Sequence, residues 1–210
     1  MMKIDIWSDF ACPFCYIGKR NLESALKEFD SQDVVELVFH SYQLDPNAKK
    51  GGQINPVDEL AKKYGTSRER AQEMIDRVVN MAKDVGLNYN YDKLISTNTL
   101  DAHRLSHYAK KENKDRELVE ELFKAHFIEG LDIGDLEVLA ELGARVELDR
   151  EEIKSILKSE EYYSEVDLDK YTASQYQIRS VPFFIFNNRY AVSGAQPVEA
   201  FLETLTKASQ

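Results

Sequence analysis

The sequence predicts an α/β fold in which a large all-helical segment interrupts one sheet. Three observations carry this expectation. Strand, helix and strand signals fall in the first forty or so residues, strand signals return only near Phe183, and the stretch between holds helical periodicities with no convincing strand. The expected division is a sheet domain built from residues 1–45 and 178–210, with an inserted helical domain over 57–177. At 210 residues the chain buries a sizeable core without disulfide or metal staples.

Ile4 and Ile6 alternate with polar neighbours and read as strand one, which Ser8-Asp9-Phe10-Ala11 breaks. From Pro13 the period changes: Ile17, Leu22, Ala25, Leu26 and Phe29 share a helical stripe, and Pro13 suits a first turn, where its missing N–H costs nothing. The β-branched run Val34 to Phe39 predicts a parallel second strand, and the three elements form a right-handed βαβ unit. A polar loop with Gly51-Gly52 follows, from about Pro46 to Pro56. Helices are then expected from the capping box Thr66–Glu69 to Gly86, from Asn98 and Asp101, through Leu118 to Phe127 stopping near Gly130, from Asp135 to Gly143, from Asp149, and from about Glu160 to Tyr176. Phe183 to Phe186, then Asn187-Asn188, then Arg189 to Val192 is a hairpin signature, because Asn tolerates the positive φ of a primed turn. Pro197 opens a last helix bearing Val198, Phe201, Leu202 and Leu205.

Composition narrows the function. Acidic residues outnumber basic ones 37 to 27, giving a net charge of −10, which argues against a nucleic-acid partner because phosphate contacts need clustered Lys and Arg. Apolar runs such as Phe183 to Phe186 fall far short of a bilayer span, so no membrane partner is expected. Residues Met1 to Ser8 read directly as a strand with Asp5 inside it, without the basic and apolar regions of a secretory leader. The expected address is the cytoplasm, where structural disulfides are kept reduced.

The chemistry lies in the cysteines. The chain has two, Cys12 and Cys15, separated by Pro13 and Phe14 at the strand-to-helix junction. An i, i+3 relation puts both sulfurs on one face of the first turn, where unpaired N–H groups and the positive helix end favour an anionic sulfur at Cys12. Helix geometry is expected to expose Cys12 at the tip and tuck Cys15 inward, as an attacking and a resolving thiol. A zinc half-site is the first competing reading, but no second cysteine pair exists, and His103, four residues before His107, is followed by Arg104 rather than the Glu of a zinc-binding helix. His40 and His126 complete the histidines. Two inert buried cysteines are the second. Redox chemistry is the stronger reading, with no metal and no cofactor beyond the dithiol.

Cys12-Pro13-Phe14-Cys15 after a first strand, and Ser180-Val181-Pro182-Phe183 before a late hairpin, resemble the thioredoxin superfamily, and the helical insertion resembles its DsbA-like family. Four stretches are similar to the FrnE-type cytoplasmic branch: Ser8 to Phe10, Asn98 to Arg104, Glu129 to Ile133 and Tyr190 to Gln196. The resemblance implies a thioredoxin fold with a helical insertion, and thiol–disulfide exchange on a disulfide-bearing protein or small thiol substrate, with glutathione as a candidate co-substrate. It implies a cis Val181–Pro182 peptide packed beside the disulfide, with Pro13, Phe14 and Asp9 in support; Asp9 would tune proton transfer at Cys15 or simply accept local hydrogen bonds. DsbA itself has a histidine where this chain has Phe14, and an apolar ring donates no hydrogen bond to a thiolate. The expected reduction potential is therefore below DsbA's value of about −120 mV. Kappa-class glutathione transferases and 2-hydroxychromene-2-carboxylate isomerases resemble the same fold and supply the alternative, but they carry serine at the Cys12 position and lack the resolving thiol. A non-catalytic biosynthetic partner is a third reading.

Overall fold

Strand β1 (Met2–Ser8) is the axis of the sheet, as its buried Ile4 and Ile6 require. The structure, a computed structural model, describes residues 1–29, 35–52 and 55–210. Helix α1 (Pro13–Glu28) returns the chain to β2 (Val35–Ser41), which pairs with β1 in parallel; Val34, expected in this strand, lies outside the described residues. Late in the chain β3 (Phe183–Phe186) adds to the other side of β1, antiparallel, and β4 (Tyr190–Ser193) pairs with β3, giving the order β2-β1-β3-β4. Both hairpin asparagines hold positive φ, 49° at Asn187 and 53° at Asn188, the primed geometry that suits the twist of the flanking strands. Helix α9 (Val198–Ala208) closes the chain.

The sheet's two faces follow from the two-residue period of β1. Ile4 and Ile6 join Phe184, Phe186, Leu22, Ala25, Phe201 and Leu205 in one core with α1 and α9. Each buried Leu, Ile or Phe there contributes about 1.5–3 kcal/mol of burial. The opposite face carries Trp7 and His40, facing each other in register and stacked with ring centres 4.4 Å apart.

Between β2 and β3 lie α2 (Pro56–Tyr64), α3 (Arg68–Asp84), α4 (Leu100–Lys111), α5 (Asp115–Lys124) continued by a π-helical turn at Ala125–Glu129, α6 (Leu136–Arg145), α7 (Arg150–Lys158) and α8 (Tyr163–Gln175). Helix α2 was not expected; Asn55 caps it and Pro56 opens it, a start written in residues that also read as loop. Helix α3 is capped by Ser67, one residue after the expected Thr66, with the Ser67 hydroxyl accepting from Arg70 N–H. Helix α4 packs against α5, α6 and α7. Its Arg104 is fully buried, donates to the carbonyls of Ile156, Leu157, Ser159 and Glu161 and to Asp101, and lies 4.1 Å from the Tyr163 ring centre. One guanidinium thus satisfies the end of α7, where helix carbonyls lose their own partners.

The chain divides into two compact units, Met1–Leu44 with Asp167–Gln210, and Asp45–Val166. The second division falls inside α8, so residues 167–177, expected with the inserted helices, group with the sheet. Asp169 shows why: its carboxylate accepts from Ser41 N–H at 2.7 Å and meets His40 Nδ1 at 2.7 Å, while its carbonyl accepts from the Trp7 indole.

Candidate active site

The turn after β1 is built by Asp9. Its carbonyl accepts from Cys12 N–H at 3.0 Å, and its carboxylate accepts from Ala11 N–H at 3.3 Å and from Leu44 N–H at 2.7 Å. These contacts are those of the second expected role, a local hydrogen-bond acceptor. Cys12 becomes the N-cap of α1, extended at φ −93° and ψ 112°, and Pro13 follows at the first turn. Cys12's carbonyl accepts from Cys15 N–H at 3.0 Å, which brings the two cysteines round one turn. No acidic side chain stands in that turn, so the positive end of the helix is not offset there.

Both thiols are free and both are buried, Cys12 at 4% exposure and Cys15 at 2%. This corrects the expectation of an exposed Cys12. Its sulfur does not stand at an open tip but turns onto the segment before β3, where the thiol donates to the Val181 carbonyl at 3.6 Å. The Val181–Pro182 peptide is cis. Phe14, not Cys12, faces solvent, at 38%.

Close approach of α1 to that segment depends on Gly18. A Cβ at Gly18 would lie 3.0 Å from Pro182 Cγ and 3.2 Å from Phe184 Cζ. The neighbouring stretch ties down the other side: Gly194 N–H donates to the Pro182 carbonyl at 2.8 Å, and Asn21 donates to the Gln196 carbonyl at 2.8 Å. Cys12, Pro13, Cys15, Asp9, Val181 and Pro182 are thereby gathered from two ends of the chain, while Phe14 points away.

Burial pushes the Cys15 thiol well above its ordinary range, and the adjacent Cys12 sulfur adds to this; the Ser8 hydroxyl and the Asp9 main chain work the other way. Ser8 is a site residue that the sequence marked as the end of a strand and as part of a family-like stretch, without a role of its own. The other unanticipated feature is His40, whose Nε2 meets Asp5 at 2.7 Å while Nδ1 meets Asp169. Burial opposes its protonation, but the Asp169 and Asp5 carboxylates outweigh burial and raise its pKa. The one available signal was the register that sets His40 beside Trp7. Among the described residues no group of three or more His, Cys, Asp or Glu is placed to hold a metal ion, and no helix is long and apolar enough to cross a membrane.

A family model for the DSBA-like thioredoxin domain matches residues 3–206. The chain belongs to that family. Among solved structures, a probable DsbA oxidoreductase from Streptomyces coelicolor superposes on this DsbA-like chain with a TM-score of 0.95 at 38% identity, covering 100% of this chain and 90% of that one. Cytosolic disulfide reductase DsbM from Pseudomonas aeruginosa, solved with GSH, shares the fold at a TM-score of 0.67 and 16% identity, over 98% of this chain and 99% of that one. The uncharacterized protein YwbO of Bacillus subtilis (strain 168) is 29% identical over 205 residues, which cover 97% of this chain and 95% of YwbO.

Proposed function

We propose that this DsbA-like protein is a thiol–disulfide oxidoreductase acting through Cys12 and Cys15 on disulfides of proteins or small thiols. The observation that carries the reading is the placement of two free thiols on one helical turn, one against the Val181 carbonyl and the other deeper and held protonated. The Cys12 thiolate attacks one sulfur of a substrate disulfide; a Cys12–substrate disulfide forms and the other substrate sulfur leaves as a thiolate. Cys15, as thiolate, then attacks the Cys12 sulfur, joining the two cysteines and releasing the second substrate sulfur. The substrate gains two electrons and two protons, and the dithiol loses them. Run backwards, the same steps insert a disulfide.

The causes acting on Cys15 order these steps. Burial and the neighbouring Cys12 sulfur keep Cys15 neutral in the resting dithiol. Once Cys12 is bonded to substrate it carries no negative charge, so that part of the opposition is gone, while the Ser8 and Asp9 hydrogen bonds that favour the Cys15 thiolate persist. Retention of both thiols supports redox exchange over the glutathione-dependent isomerase alternative, whose thiol would come from the cofactor.

The test is trapping. Cys15→Ala is expected to accumulate adducts on Cys12 in cells, identified by mass spectrometry, and Cys12→Ser to accumulate none and to lose disulfide turnover. Full turnover by Cys15→Ala with nothing trapped would overturn the two-thiol mechanism. The reduction potential of the pair, read against glutathione buffers, then assigns direction: a value near the cytosolic pool fits reductase or isomerase work, one far above it an oxidant.

A further inference from the structure

A groove of about 390 Å³ opens in the sheet unit between the end of β2 and the end of α8. That volume lies within the usual range for small-molecule sites, roughly 300–1,000 Å³. Lys170 and Arg179 supply its charge, Tyr42, Gln43, Ser174 and Gln177 supply hydrogen-bonding groups, and no carboxylate is among the described residues that line it. In a chain of net charge −10 this is a local reversal of sign.

Both walls lead to Cys12. Tyr42 N–H donates to the Ser8 carbonyl at 3.0 Å and Leu44 N–H to the Asp9 carboxylate, which fixes one wall to the turn before Cys12. Arg179 stands two residues before Val181, whose carbonyl receives the Cys12 thiol. Lys170 also meets Asp167 at 3.1 Å, but that carboxylate is 72% exposed. Such surface pairs are worth about 0–1 kcal/mol and give way to a better acceptor. A guanidinium and an ammonium lining one groove, together with residues that carry amides and hydroxyls, form a donor set for a carboxylate, which an Arg fork takes with two parallel hydrogen bonds.

We propose that the groove seats the carboxylate of a small peptide disulfide while the peptide's sulfur lies on Cys12. The inference rests on the dithiol-exchange reading and adds its substrate class: short, anionic cysteine peptides. The groove selects the substrate; Cys12 and Cys15 perform the exchange.

The test is a single turnover of the fully reduced protein, with no other reductant present, by two symmetrical disulfides. One is the disulfide of N-acetyl-Cys-Gly with its free carboxylate; the other carries a C-terminal amide. Loss of protein thiols reports the rate, and the ratio of half-saturating concentrations within each variant is the readout. The free acid is expected to saturate the wild-type protein at about tenfold lower concentration than the amide, the worth of one hydrogen bond to a charged group. Arg179→Gln and Lys170→Gln are expected to bring the ratio towards one, and Arg179→Lys to keep part of the preference. A wild-type ratio near one, or an unchanged ratio in the Arg179→Gln/Lys170→Gln double variant, overturns the groove assignment and leaves the exchange reading standing. If neither disulfide oxidises the wild-type protein, this inference falls, while the exchange reading is decided by Cys15→Ala trapping.

Discussion

Cys15 feels two opposing influences that a single substitution separates. Burial belongs to the fold, whereas the Cys12 sulfur is a removable neighbour. Cys12→Ser is therefore expected to move the pH dependence of Cys15 alkylation downwards from that in the reduced wild-type protein, while burial still holds it above a free thiol near 8.5. Alkylation followed by peptide mass spectrometry reads this directly, and an unchanged profile would leave burial as the sole cause. The pair itself was legible in the sequence because it accounts for all the cysteines, at a strand-to-helix junction. Its accessibility was not. Whether Cys12 stands open or lies against a carbonyl depends on Val181, 169 residues away, and no local pattern carries that information.

At the scale of elements, two contacts hold helices by one residue each. Arg104→Ala strands several carbonyls at the end of α7 and removes one of the cations that pair with Asp101, leaving its contact with Lys50. The expected cost is at least about 3 kcal/mol, seen as a lower denaturant midpoint and faster amide exchange in α7. Gly18→Val forces branched carbons onto Pro182 and Phe184, and overpacking of this kind costs about 1–3 kcal/mol. Because the same contact positions Pro182, disulfide turnover is expected to fall more than stability does, which paired activity and melting measurements will show. The Asn98 to Arg104 stretch, read in the sequence as a family signature, thus has a structural purpose: Asn98 donates to the Pro46 and Ala48 carbonyls and Arg104 caps α7. The clean hairpin was readable because Asn187-Asn188 leaves few other conformations. Helix α8 was readable as a helix but not in its allegiance. Leu168 and Tyr171 are exposed while Val166, Asp169 and Ala173 are buried, so no single apolar stripe announces which unit it joins.

Across the whole molecule, pH reaches stability through His40 and Asp5. His40 has a pKa raised above its ordinary 6.5 by Asp169 and Asp5 against the effect of burial. Its contribution is complete below that value and fades as pH rises through the higher folded-state value. Asp5 is also opposed by burial, yet His40 and Lys3 lower its pKa from 3.8. Its contribution is complete above that value and is lost as pH falls through the lower folded-state one. Stability relative to His40→Gln is therefore expected to be greatest between about pH 4 and 6.5 and to shrink towards alkaline pH, as melting at a series of pH values will measure. Strand order and helix starts came through the sequence because periodicity and caps are local; the division of the chain and the link between His40 and Asp169, 129 residues apart, are products of tertiary assembly. That interleaving also has a consequence in time. The helices of Asp45–Val166 are contiguous, so a ribosome delivers them before β3 and β4 exist. At about 5–20 residues per second, Cys12 emerges roughly 10–30 s before Val181 does. A nascent chain therefore carries both thiols through that interval without the carbonyl that later covers Cys12, and its vulnerability to oxidants is set by the speed of translation as well as by the folded protein.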